Sequence, residues 1–244
     1  MRHLVLALAG FFSMIASVMA GDVEPAKAPT AVAAPINWTG LYVGTNAGAG
    51  MADAGIFDPD CDPCTNKKFQ TAFAGVGGQI GYNWQWRAMV LGLEGDLNWA
   101  SAKASDMLKL CCERNGGLQR FKFNAFASVR GRMGLAFDNA LVYLTAGPVW
   151  GHFKSSTNSG NDVFIEFSND NGWHPGLAVG TGVEFMLVSN WTVRGEYLFL
   201  QFKDVDRPLL SSPPSECSFG LDCRINYAYS AHVVRLGLNY RFGN

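Results

Sequence analysis

The sequence predicts an all-β protein, an eight-stranded antiparallel up-and-down transmembrane β-barrel with long extracellular loops. Three observations point there. Hydrophobicity alternates with a period of two in eight successive segments, the connections between them are alternately long and short, and the charges keep to one face of each segment.

The first residues, "MRHLVLALAGFFSMIASVMAGD", place Arg2 before an apolar run over 4–15 and small residues before Gly21. This is the layout of a secretory signal peptide, with cleavage expected after Ala20 and residues 1–20 removed. The run is shorter than the ~20 residues of a membrane-spanning helix, and no later stretch supplies one. Export implies an oxidising compartment. Residues 21–36, "GDVEPAKAPTAVAAPI", are rich in Pro and Ala without periodicity and read as a flexible periplasmic linker. Residues 37–244 are the expected barrel domain. With 16% charged residues, a net charge of −1 and no Lys/Arg block, the chain has no nucleic-acid footprint.

From Trp38 onward the strand-like segments fall at 38–50, 71–85, 89–100, 121–137, 140–153, 173–187, 191–203 and 227–242. Tight connections occur at "QWRA", "DNA" and "VSN", whereas 51–70, 101–120, 154–172 and 204–226 are long. A meander with every long loop at one end produces this strict alternation, and a Greek-key sandwich does not. Parity then assigns faces. Met89, Leu91, Leu93, Leu97 and Trp99 oppose Gly92, Glu94, Asp96 and Asn98; Val129, Met133, Leu135 and Phe137 oppose Ser128, Arg130, Arg132 and Gly134. Leu177, Val179, Val183 and Phe185 oppose Gly176, Gly180, Gly182 and Glu184; Trp191, Val193, Tyr197 and Phe199 oppose Thr192, Arg194 and Glu196. In the last segment Val234, Leu236, Leu238, Tyr240 and Phe242 oppose Arg235, Gly237, Asn239 and Arg241.

A soluble barrel would hide the apolar face, and a membrane barrel turns it outward. The polar face here is Gly, Asn, Arg and Glu with little Lys, which suits a narrow interior where charges pair. A closed sheet is the only β structure hydrocarbon tolerates. The tryptophans sit at strand ends: Trp38, Trp84, Trp86 and Trp191 at the short-turn end, and Trp99, Trp150 and Trp173 at the long-loop end. With Phe242 they are expected to form two interfacial girdles.

The motifs "NWTGLYVGTNAG", "GGQIGYNWQ", "LGLEGDLNW", "VRGRMGLAFDN", "NWTVRGEYLF" and "VRLGLNYRF", spread over residues 37–242, resemble the alphaproteobacterial outer-membrane immunogenic, porin-like β-barrel proteins. These are small barrels related in architecture to the membrane domain of OmpA. The resemblance implies eight strands, outer-membrane location in a Gram-negative bacterium, surface exposure and antigenicity, and leaves transport open. Phe242 resembles the C-terminal aromatic through which the insertion machinery recognises such barrels, here followed by Gly243 and Asn244. The expected partners are outer-membrane lipid and lipopolysaccharide, the protein being a monomer.

Eight strands leave an interior that side chains can fill. Inward acids Glu94, Asp96, Glu184 and Glu196 and inward bases Arg130, Arg132, Arg194, Arg235 and Arg241 are nearly balanced, which suggests a plug of ion pairs. The alternative is a small-solute channel opened when pairs exchange. A second alternative is haem or host-ligand binding through the loops; His152 and His174 lie near the long-loop ends of adjacent strands, where they could approach each other. No hydrolase, metalloprotease or phosphate-binding motif is present, "GVGGQIG" lacking the required spacing, so no catalytic residue, cofactor or metal is assigned. All six cysteines lie in long loops: Cys61, Cys64, Cys111, Cys112, Cys217 and Cys223. In an exported chain they read as disulfides; a zinc site or a redox "CDPC" lacks its usual context. The mature chain, extracted without reductant, is expected to show no free thiol by mass measurement; six free thiols would contradict the pairing.

Overall fold

A strand with one greasy and one polar face satisfies neither water nor hydrocarbon alone, and its backbone groups need partners on both edges. Here each segment pairs with the next and the last returns to the first. The computed structural model describes residues 36–57, 67–108, 117–159, 170–188, 190–208 and 224–242. The expected signal peptide, nearly all of the expected linker and all six cysteines lie outside these residues.

The strands are β1 (Gly40–Phe57), β2 (Lys67–Trp86), β3 (Met89–Leu108), β4 (Gly117–Phe137), β5 (Ala140–Ser159), β6 (Asp170–Val188), β7 (Trp191–Phe202), β8 (Val205–Pro208) and β9 (Arg224–Phe242). All pairings are antiparallel between neighbours, and β1–β9 closes the sheet. The four-residue β8 continues β7 along the same partner: pairing leaves off at Gln201↔Ser230 and resumes at Val205↔Tyr227 across an irregularity at 203–204. The barrel therefore has eight staves, one of them broken.

Two tight turns follow directly from register, since Trp86 pairs with Met89 and Phe137 with Ala140. Arg87 (φ 56°) and Asp138 (φ 42°) occupy the left-handed region that two-residue hairpins require at their first turn position. At the third turn Asn190 is tied to the neighbouring stave, its side-chain amide donating to the Arg241 carbonyl at 2.8 Å.

The apolar face lies outside. On β5 the outward positions run apolar from residue 142 to 150, a span of nine residues that matches the ~9–11 of a tilted membrane-crossing strand. Leu236 and Leu144 are each 67% exposed, and no described residue covers them.

The strands overrun the expected segments at the long-loop end. β1 reaches Phe57 instead of residue 50, β3 reaches Leu108 instead of 100, and β5 reaches Ser159 instead of 153. The alternation that marked each segment ends where the outer face leaves the apolar band, and the sheet does not. Past that level the polarity inverts. Lys103, Lys122 and Lys154 face outward, while Phe73, Phe121, Phe123, Phe153, Phe202 and Tyr229 fill the inside. Phe153 stacks on Tyr229 at 4.5 Å and on Phe123 at 4.9 Å, and meets Phe202 edge-on at 4.9 Å. A bulge in β4 makes this possible: register shifts between Phe123 and Ala125, so Phe123 and Phe126 both turn inward. The loop-end third is thus built like a soluble barrel on top of an inverted one.

Leu236→Arg, at mid-band, is expected to destabilise the barrel by about 2–4 kcal/mol in urea unfolding from lipid vesicles. An unchanged midpoint would mean that this face does not meet hydrocarbon.

Candidate functional site

The inward charged residues at mid-height come from five staves, and register sets acids beside arginines. Glu94 (β3) stands opposite Arg130 (β4), Glu184 (β6) opposite Arg194 (β7), and Glu196 (β7) opposite Arg235 (β9). The interior is narrow enough that these side chains also reach across it. Arg194 on β7 reaches across to Glu94 on β3, and Arg132 on β4 reaches past β5 to Glu184 on β6 at 2.8 Å.

Glu94 is the hub. Its carboxylate accepts from Arg130 Nη2 at 2.7 Å, from both terminal nitrogens of Arg194, and from the Tyr42 hydroxyl at 2.6 Å; Arg235 lies at 3.6 Å. Asp96 accepts from Arg130 Nη2 and Ser128 Oγ, both at 2.7 Å, and from Asn98 Nδ2 at 2.5 Å. Glu196 accepts from Arg235 Nε at 2.6 Å, Tyr143 Oη at 3.0 Å and Arg130 Nη1 at 3.3 Å. Glu184 accepts from Thr192 Oγ1 at 2.5 Å and Asn239 Nδ2 at 2.9 Å, besides Arg132. Four carboxylates thus meet four guanidinium groups, with no net charge, and all eight residues are buried.

Arg241, the fifth expected member, is elsewhere. It lies over the Trp38 ring at 5.2 Å and donates to the Asn37 carbonyl; no carboxylate among the described residues comes within ion-pair range of it. Trp38 requires a correction too. It was expected in the outer girdle, yet it is fully buried, packed with Val90, Leu141 and Tyr143 and with Ile36, the last residue of the expected linker. The chain enters β1 from inside the short-turn mouth, and its backbone N–H donates to Gln85 Oε1 at 2.5 Å. Trp84, Trp86, Trp191 and Phe242 at this end, and Trp99, Trp150 and Trp173 at the other, are exposed on the outer face.

From mouth to loops the interior is therefore three layers: an apolar cluster under Trp38, the charged lattice, and the aromatic cluster of the loop end. Small residues make room for long ones. A Cβ on Gly81 would sit 2.3 Å from the Tyr42 hydroxyl oxygen, and one on Gly182 would sit 2.5 Å from that of Tyr143. Sequence reading missed both tyrosines. The signal was parity: Tyr42 lies between outward Leu41 and Val43, and Tyr143 between outward Val142 and Leu144. Tyr143 also carries the Arg132 guanidinium on its ring at 4.0 Å.

His152 and His174 do not form a pair. His174 is buried inside against Phe153, whereas His152 points outward beside Trp173 and Asn124. Pairing Gly151↔His174 and His152↔Trp173 fixes them on opposite faces, so they cannot grip one ligand. Among the described residues no cluster of His, Cys, Asp and Glu could hold a metal ion.

A closed sheet with a bare apolar belt and a neutral charged interior defines an integral outer-membrane barrel. The chain belongs to the outer membrane protein beta-barrel domain family, which matches residues 6–242. It is 33% identical over 259 residues to the 31 kDa outer-membrane immunogenic protein of Brucella melitensis biotype 1, covering 99% of this chain and 100% of that one. It is 30% identical over 208 residues to the 22 kDa outer membrane protein of Rhizobium leguminosarum bv. viciae, covering 84% and 79%. The crystal structure of the outer membrane protein OprG from Pseudomonas aeruginosa aligns with a TM-score of 0.49 at 11% identity, over 84% of this chain and 97% of that one.

Removing one lattice partner strands the others. Arg130→Ala is expected to lower stability by about 3–5 kcal/mol, and Arg241→Ala, which breaks no ion pair, by about 1 kcal/mol or less. Equal losses in urea unfolding would deny the lattice its special role.

Proposed function

We propose that this protein is a non-conducting, non-catalytic structural barrel that presents its long loops at the cell surface. The observation that carries the reading is the filled interior: the neutral four-by-four lattice lies between two apolar layers. An ion crossing would have to separate buried pairs and then pass stacked phenylalanines, and each step carries a desolvation penalty of several kcal/mol. β9 ends in the outward aromatic Phe242 and is the segment offered to the insertion machinery. Every stave finds both its neighbours within the chain, which favours a monomer.

Single-channel recording in planar bilayers tests the reading. Wild type, Arg130→Ala and Glu94→Ala are expected to be silent, because the apolar layers remain when the lattice is damaged. Stable unitary conductance in the wild type, altered by either substitution, would replace the plug with a channel lined by the same residues.

A further inference from the structure

Above the apolar belt, one side of the barrel carries a charge arrangement that folding alone disfavours. Lys103 on β3 pairs directly with Lys122 on β4, and Lys122 pairs directly with Lys154 on β5. Phe121 and Phe123 flank Lys122, and Phe153 and Ser155 flank Lys154; these neighbours are buried, so the lysines point away from the barrel. Arg120 is exposed two residues from Lys122 on the same face. With strands ~4.8 Å apart, three ammonium groups are rooted within about 10 Å of one another. Like charges directly opposite repel. Among the described residues no carboxylate lies within ion-pair distance of any of these cations.

The opposite side of the barrel differs at this level. There Asp53 pairs with Gln70 and with Ser230, and Gln70 donates to the Asp53 carboxylate at 3.0 Å. Among the described residues, lysine set directly against lysine across neighbouring strands occurs at β3–β5, whereas the exposed Lys68 pairs with Gly55. Directly toward the membrane from it stand Trp99, Trp150 and Trp173, and below them the apolar belt begins. A molecule lying against this wall meets hydrocarbon-facing side chains, then indoles, then a cluster of cations. That sequence matches an acylated glycolipid carrying phosphates.

We propose that Lys103, Lys122 and Lys154, backed by Arg120, bind the phosphate groups of a lipopolysaccharide molecule in the outer leaflet, its acyl chains lying along the belt beneath Trp99. The assignment rests on the long loops facing outward from the cell, the usual orientation of such barrels. It does not depend on whether the interior conducts.

The test uses the full folded chain in zwitterionic detergent, with bound lipid counted by native mass spectrometry. The probes are diphosphorylated lipid A, its dephosphorylated form, phosphatidylglycerol and inorganic pyrophosphate. The variant is Lys103→Gln/Lys122→Gln/Lys154→Gln, and the control is Lys68→Gln/Lys203→Gln, at exposed lysines outside the row. Diphosphorylated lipid A is expected to bind wild type and control alike and the variant on the order of 100-fold more weakly, about fivefold per lysine. The dephosphorylated lipid should not distinguish wild type from variant. Without phospholipid the variant should be at least as resistant to urea as wild type, since it loses only repulsion. Equal lipid A binding by variant and wild type overturns the proposal, as does a less stable variant. Phosphatidylglycerol binding as tightly as lipid A, or displacement by pyrophosphate, overturns the glycolipid assignment.

Discussion

Charge neutrality under burial is the constraint from which the rest of this barrel follows. Eight ionised side chains share an interior of low polarity, where a lone charge would carry a penalty of several kcal/mol. They therefore sum to zero and every carboxylate finds more than one partner: Glu94 alone collects Arg130, Arg194 and Tyr42. Reaching those partners requires long side chains to lie across the axis, which requires small residues opposite them. The abundance of glycine in the inward positions is a consequence of that geometry, as at Gly81 beneath Tyr42 and Gly182 beneath Tyr143. The register of three strand pairs is fixed at the same time, because a one-residue slip would carry each charge to the lipid side.

The second organising feature is the change of solvent along the axis. Around the belt the outside is apolar and the inside polar; at the loop end Lys122 faces out while Phe121 and Phe123 face in. One continuous sheet meets hydrocarbon below and water above, and each third carries the core its surroundings demand. The upper core is a stacked aromatic cluster around Phe153, and at the short-turn end Trp38 packs in a buried cluster with Val90, Leu141 and Tyr143.

How much of this the sequence revealed depended on where period-two reading stayed in phase. Staves, tight turns and the inward charges were legible because alternation through the belt is uninterrupted, as from Met89 to Trp99. It failed at particular residues for physical reasons. The β4 bulge shifts phase, so Phe121 and Phe123 share the odd parity of Val129 and Met133 yet face the other way. Trp38 precedes β1, and a preference of indole for interfaces outweighed its parity with inward Tyr42. The strands run past the residues where alternation stops, because the outer face turns polar there while backbone pairing continues. Arg241 has the parity of the lattice but lies one layer below it, a height that alternation cannot report.

The most direct test of the central claim is the behaviour of the lattice arginines themselves. In the refolded, 15N-arginine-labelled barrel, guanidinium resonances of Arg130, Arg132, Arg194 and Arg235 can be assigned by single Arg→Lys variants and their exchange with solvent followed by NMR. Slow hydrogen exchange and hindered rotation of all four, set against rapid exchange for exposed Arg120, is the expected result. Four lattice guanidinium groups exchanging as fast as Arg120 would mean a hydrated, unlocked interior and would contradict it.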